Sequence, residues 1–356
     1  MLSKHKFSLI KSSIFGKKTE VVPKAPPQTF GTIIVGNVAS GTVSFIDEEF
    51  SHLQKEVYVG KRPHEIVTSP DGNYAVVSLF GDIKGKHPGS SIVTLDVVNK
   101  KVINKFDLEC ESRPHGMCFM NNTKLLVASQ GKQAIFMLDF APDFNGILSM
   151  RKITLAGEGA HMVSIDKKRE FAYVGNMTSG SVVKVNMHTF ESQELKIGNE
   201  SEAVTLSLDE KKLFVTDRKD DFIAVVDPEK MELIKKIPCG CGPTRVTIKD
   251  DKTAYINNTS TSRIQELDLE KLEIRATYPS SGNSRDKKCM GKSKTHGAFL
   301  GGLFQIPVNT TALADGSILV TNQRAGYVAK ILDGNQIQRI EAGNQPNGLA
   351  YSNKPF

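Results

Sequence analysis

The chain has 356 residues, a formal net charge of +7, 39% apolar and 24% charged residues, a balance suited to burying a core in water. No apolar run approaches the roughly 18 residues a spanning helix needs, because Lys, Asp or Gly interrupts each candidate, so a membrane-spanning helix is excluded. Aromatic residues are few and Trp is absent, which argues against base stacking and nucleic-acid binding.

Residues 1–30 read as a basic tail and spacer. Lys4, Lys6, Lys11, Lys17 and Lys18 precede the first acid, Glu20, and Pro23, Pro26 and Pro27 stiffen the link to the first repeat. Lys11 divides FSLI from SSIF, so the uninterrupted apolar stretch of a secretory signal is missing. A cytoplasmic location is expected, with organelle targeting by this basic, hydroxyl-rich tail as the alternative. The five cysteines, an odd count, then read as reduced thiols, and Cys239 and Cys241 are too close together for a zinc knuckle.

From Gly31 onward one unit recurs. Residues 34–47 read IVGNVASGTVSFID and residues 173–186 read YVGNMTSGSVVKVN, each a β-hairpin with turn-forming residues between runs of alternating β-branched residues. Equivalent hairpins fall at 76–96, 126–139, 214–227, 254–268 and 319–333, making seven. They close on Asp47, Asp96, Asp139, Asn186, Asp227, Asp268 and Asp333, side chains that cap a tight turn. A further strand follows each, as in LQKEVYV, KVINKFDL and ELIKKIP.

Between hairpins lies a second phrase, Arg62-Pro63-His64-Glu65-Ile66 followed by a Pro-Asp-Gly turn, echoed from Arg113, Glu158, Glu200, Gly242, Ile306 and Gln345. Four short strands per unit of about 40–45 residues predict an all-β chain, a seven-bladed β-propeller of four-stranded antiparallel blades over residues 31–356. The first hairpin lacks an inner strand and the last phrase, QPNGLAYS, lacks a hairpin, so the C-terminal strand is expected to complete the first blade and close the ring. Such a ring is expected to be a monomer.

The segment SGTVSFIDEEFSHLQKEVYVGKRPHEIVTSPDGNYAVVS resembles the repeat of YVTN-type β-propellers, within the cytochrome cd1 and lactonase-like seven-bladed superfamily. That resemblance covers about residues 31–353 and implies the fold; its matching residues form turns and strands and imply no reaction. Phosphogluconolactonase-like propellers share the architecture, but their His-Pro-Ser-Gly turn is absent here. Streptogramin-lyase-like propellers are similar in shape only.

In a propeller the loops into the inner strands and the hairpin loops share one face, around the mouth of the central channel. The first position after the Pro holds His64, His115, Gly159, Glu202, Thr244, Val308 and Asn347, and the next holds Glu65, Gly116, Ala160, Ala203, Arg245, Asn309 and Gly348, with His161 one step further. His64 and His115, with Glu202 or Glu65, would ligate one divalent metal ion. A His acting as general base beside Arg245 holding an anion is the catalytic alternative. His64, His115, Glu202 and Arg245 are therefore the candidates for chemistry, and Glu65, His161, Asn309 and Asn347 for ligand contact. Asp71, Asp166, Asp209 and Asp315 fall in turns on the opposite face and are expected to serve those turns.

Two insertions lengthen the mouth face: residues 80–91, with Lys84, Lys86 and His87, and the basic loop 280–304, with Lys292, Lys294 and His296 as further ligand candidates. The expected function is a propeller that binds a small anionic molecule or a protein at the mouth. The alternative is an enzyme, a metal-assisted hydrolase or lyase such as a lactonase, using the same residues.

Overall fold

Period-two apolar patterning and Gly- or Asp-centred turns produce 4-stranded antiparallel sheets, one per repeat, arranged as a seven-bladed propeller. The computed structural model describes residues 31–49, 53–82, 87–240, 242–278, 294–295, 306–332 and 336–354. From blade 1 to blade 7 the inner strands are Pro346–Ser352, Pro63–Thr68, Pro114–Phe119, Ala160–Ile165, Ser201–Leu206, Pro243–Ile248 and Pro307–Ala312. Blade 1 is built from both ends: Pro346–Ser352 pairs antiparallel with Thr32–Asn37, Thr32 facing Ser352 and Val35 facing Leu349.

The second and third strands are largely buried on both faces, whereas the outer strands of blades 2, 3 and 5 are largely exposed. Apolar side chains gather into seven clusters, one between each pair of neighbouring blades. Phe45, for instance, is wholly buried between blades 1 and 2 with Ile66, Val77 and Leu95. Each blade thus hides its faces against two neighbours, and the ring is held by stacking. Among the described residues no helix is long and apolar enough to cross a membrane.

Among the described residues, the acidic residues that end the hairpins cap their turns as the sequence suggests; Asp333 lies outside the described residues. Asp227 Oδ1 accepts the N–H groups of Glu229 and Lys230 at 2.9 and 3.0 Å, and Asp268 does the same for Glu270 and Lys271. Asp139 is the exception: its turn is longer, and its carboxylate takes the Thr123 hydroxyl at 3.1 Å. On the opposite face Asp71, Asp166, Asp209 and Asp315 each accept backbone N–H groups within their own turns.

Two further features depart from the sequence reading. The blade 6 hairpin carries a 3₁₀ turn at Thr259–Thr261. Lys294 and Thr295 pair in parallel with Ala276 and Thr277 of the blade's outer strand. Lys294 therefore sits at the outer edge of blade 6 and not at the mouth. Lys292 and His296, the rest of that basic loop, residues 83–86 and the tail 1–30 lie outside the described residues.

Candidate functional site

Each inner strand breaks register with the second strand of its blade at the mouth. In blade 2, Pro63 faces Leu79 and Ile66 faces Val77, so His64 and Glu65 together oppose one residue. The same interruption occurs at Pro114/Met117, Ala160/Met162, Ser201/Val204, Pro243/Arg245 and Pro307/Thr310, and in blade 1 opposite Val35/Asn37. A bulge re-aims the side chains it carries. Here it places the candidate residues at the channel mouth in all seven blades.

The bulges are fixed by their surroundings. Hydroxyls on the second strands accept the freed N–H groups: Ser78 from Glu65 at 3.0 Å, Thr216 from Ala203 at 2.8 Å and Thr321 from Asn309 at 3.0 Å. Just before the inner strand, Arg62, Arg113, Gly159, Gly242, Ile306 and Gln345 adopt positive φ. Four of these are neither Gly nor Asn, and such backbone persists only where its environment enforces it. In blade 3 the carbonyl of Arg113 is held by the Gln130 N–H at 3.2 Å.

Strand pairing also corrects the alignment of blade 4. Ala160 faces Asn176 as Pro63 faces Leu79, so His161, not Gly159, occupies the station of His64 and His115. Three consecutive blades therefore present histidine at one level. Their rings form a short stack, with centroids 4.3 Å apart for His64 and His115 and 3.6 Å for His115 and His161. Gly116 allows this approach, since a Cβ there would lie 2.6 Å from Met162 Cα and 2.7 Å from the His161 carbonyl.

Across the channel Arg245 reaches Glu65 through Nη2 and donates from Nη1 to the Thr244 carbonyl at 3.0 Å, with Glu202 Oε1 3.9 Å from Nη1. Asn309 Nδ2 donates to the second Glu65 oxygen at 3.2 Å. Glu202 also lies 3.6 Å from His161 Nε2 and 3.5 Å from Arg218 Nη1. Arg245 is thus committed to protein carboxylates, which corrects its expected part as an open clamp for an anionic ligand.

Burial disfavours the Glu65 carboxylate, but Arg245 and the nearby His64 outweigh it and hold the group down to about 2. Glu202 is likewise held below the usual carboxylate range against burial by His161, Arg245 and Arg218. Burial, then the neighbouring His161 and His64, pushes His115 well below the usual imidazole range. Burial also lowers His161, partly offset by Glu202.

These contacts link His64, Glu65, His115, His161, Glu202, Arg245 and Asn309, while Asn347 stands buried at the bulge of blade 1, its carbonyl held by Thr321. The sequence left Glu202 and Glu65 as alternatives beside the histidines. The carboxylate that joins His64 and His115 in one cluster is Glu65, whereas Glu202 pairs with His161 and the arginines. Phe80, missed from sequence, packs its ring 5.2 Å from His64 and 5.3 Å from His115; its place in an inserted hairpin loop was the available signal. Arg218, also missed, supports Glu202 from the rim.

No protein-family model matches the chain, and no curated protein matches it. Solved structures do. A streptogramin B lyase aligns with TM-score 0.64 at 14% identity, over 90% of this chain and 91% of its own. The periplasmic gluconolactonase PpgL of Pseudomonas aeruginosa aligns with TM-score 0.66 at 13% identity, over 91% and 99%. A putative 6-phosphogluconolactonase of Bacteroides fragilis aligns with TM-score 0.68 at 13% identity, over 92% and 99%. At such identities the likeness is one of fold: the chain shares the seven-bladed β-propeller of lactonase- and lyase-like proteins.

Proposed function

We propose that the protein binds a small molecule at the channel mouth, against the side chains carried by the inner-strand bulges. The observation supporting this is a buried charge cluster with no evident duty in the fold. Glu65, Glu202 and Arg245 are all buried, while the blades are already held by apolar interfaces. Withdrawing such groups from water costs several kcal/mol per ion, and apolar side chains of similar volume often serve stability as well or better. Nδ1 of His115 and His161 and Oδ1 of Asn347 are buried without hydrogen-bond partners, and a bound polar ligand would satisfy them.

A second reading is catalytic: a hydrolase or lyase acting on a small acid or lactone. His161 supports it, because Glu202 lies beside one ring nitrogen and the other is unpartnered, the disposition of an imidazole oriented by a carboxylate for general-base work. The test is a thermal-shift and calorimetric screen of lactones and small carboxylic and phosphorylated acids. Wild type, Asn347→Ala and His161→Gln would be compared with Asp209→Ala on the opposite face. Binding by wild type and Asp209→Ala, weakened roughly tenfold in both mouth variants, is the expected result. Failure of every compound to bind, or binding indifferent to both mouth substitutions, overturns it. Ring opening or elimination that is lost in His161→Gln selects the enzyme reading.

A further inference from the structure

His64, Glu65 and His115 each offer a ligand atom within 4.8 Å of the others, and they form the one such three-residue group among the described residues. His115 is 1% and Glu65 4% exposed. His64 Nδ1 lies 3.4 Å from Glu65 Oε1 without forming a hydrogen bond, and His115 Nδ1 also has no partner. A buried polar atom left unmatched costs about 1–3 kcal/mol, and two on adjacent rings require a common explanation. Water is a poor one for His115, walled by Phe80 on one side and His161 on the other.

We propose that His64, Glu65 and His115 form a three-ligand site for a divalent ion of the zinc class, Zn²⁺, Co²⁺, Ni²⁺ or Fe²⁺, with an open coordination position facing the channel. This rests on the mouth being a small-molecule site and supplies what that site lacks. With Arg245 committed to carboxylates, the ion is the positive centre that an oxygen-bearing ligand would meet.

Two imidazoles and one carboxylate select this class, since Mg²⁺ and Ca²⁺ favour oxygen-rich sets. Three protein ligands with one open position is the pattern of a working zinc site. The local charge is also suitable. Glu65 and Glu202 face one inward guanidinium, that of Arg245, while Arg218 at the rim is shared between Glu202 and Glu200.

Bonds of about 2.0–2.1 Å put tetrahedral ligand atoms about 3.3–3.4 Å apart. The cluster must therefore contract, and His64 is the member with room to turn, its side chain being 18% exposed. Arg245 touches the same Glu65 oxygen. A carboxylate has about four lone-pair directions, enough for both partners.

The experiment is equilibrium dialysis of the full chain, stripped with chelator, against Zn²⁺, Co²⁺, Ni²⁺ and Mg²⁺ separately. Metal is counted by elemental analysis, and the Co²⁺ absorption spectrum reports coordination. The double variant His64→Ala/His115→Ala defines background, with circular dichroism confirming its fold. About one equivalent of Zn²⁺ or Co²⁺ per chain is expected, with four- or five-coordinate Co²⁺ absorption and little Mg²⁺. Affinity should fall roughly 100-fold or more in His115→Asn and in His64→Gln, and be retained in Asp209→Ala on the opposite face. Wild-type binding no greater than background, or zinc affinity unchanged in both single variants, overturns the proposal. Small-molecule binding by a wild-type chain that takes up no metal above background would leave the mouth reading intact and remove the metal alone. Metal bound without any small-molecule ligand would do the reverse.

Discussion

The hydroxyl of Tyr351 donates to Glu48 Oε2 at 2.7 Å, across 303 residues of sequence. The same oxygen accepts the Gly31 N–H at 2.8 Å, and Lys330 of blade 7 stands 3.9 Å from the other. This small network fastens the closing strand to the first hairpin. Tyr351→Phe should cost about 0.5–2 kcal/mol in denaturant unfolding and leave mouth binding unchanged. Deleting residues 344–356 should unfold or aggregate the protein. A truncated chain that melts like the full one would refute closure by pairing of the two ends.

Thr321 serves two blades, accepting the Asn309 N–H and donating to the Asn347 carbonyl, both at 3.0 Å. Thr321→Val keeps the shape and strands both partners. A loss of about 1–3 kcal/mol is expected, with weaker ligand binding because two mouth residues are released together. Stability and affinity both at wild-type level would show that the bulges hold without this hydroxyl.

Arg245→Met should destabilise the fold by about 3–5 kcal/mol, because it leaves Glu65 and Glu202 buried without their shared counter-charge. The further change Glu65→Gln should restore part of the loss. The effect should respond weakly to salt, since buried pairs are poorly screened. A cost under about 1 kcal/mol would mean that water enters the mouth and solvates these groups.

Asp209 binds the Ser207 hydroxyl at 2.7 Å and the Lys211 N–H at 3.1 Å, and these bonds hold its carboxyl below the usual aspartate value of 3.8. Its folded pKa is depressed, so its contribution is present above 3.8 and is lost as pH falls through the folded value. Asp209→Asn keeps an acceptor for the turn and should match wild type within about 0.5 kcal/mol at pH 7. Below pH 3.8 the small difference between them should shrink, measured by urea unfolding across pH. A gap that widens on acidification would reverse the assignment.

The hairpins were legible in the sequence because strand alternation and turn chemistry are local signals, and blade 1 could be completed by matching one missing strand to one unused strand. The mouth residues were legible through the Pro that opens five of the inner strands. Blade 4 lacks that Pro, and Gly159, which takes positive φ, invited an alignment two residues off for His161. The partners of Arg245 were not legible. Glu65 is 180 residues away, and only the curvature of the closed ring brings the two together. The bulges were equally hidden, since a Ser or Thr in a strand interior gives no sign that it catches an N–H released by the neighbouring strand.

Because blade 1 takes its inner strand from Pro346–Ser352 and its other three strands from the first repeat, that blade cannot be complete without the last described strand of the chain. Six blades can form as their own consecutive residues leave the ribosome. The first hairpin must wait, one edge unpaired, until the seventh blade has been made. The Arg245–Glu65 bridge joins blade 6 to blade 2 across the channel, so it needs those two blades held at their places in the closed ring, and closure by the last strand is thereby also a condition for the polar mouth.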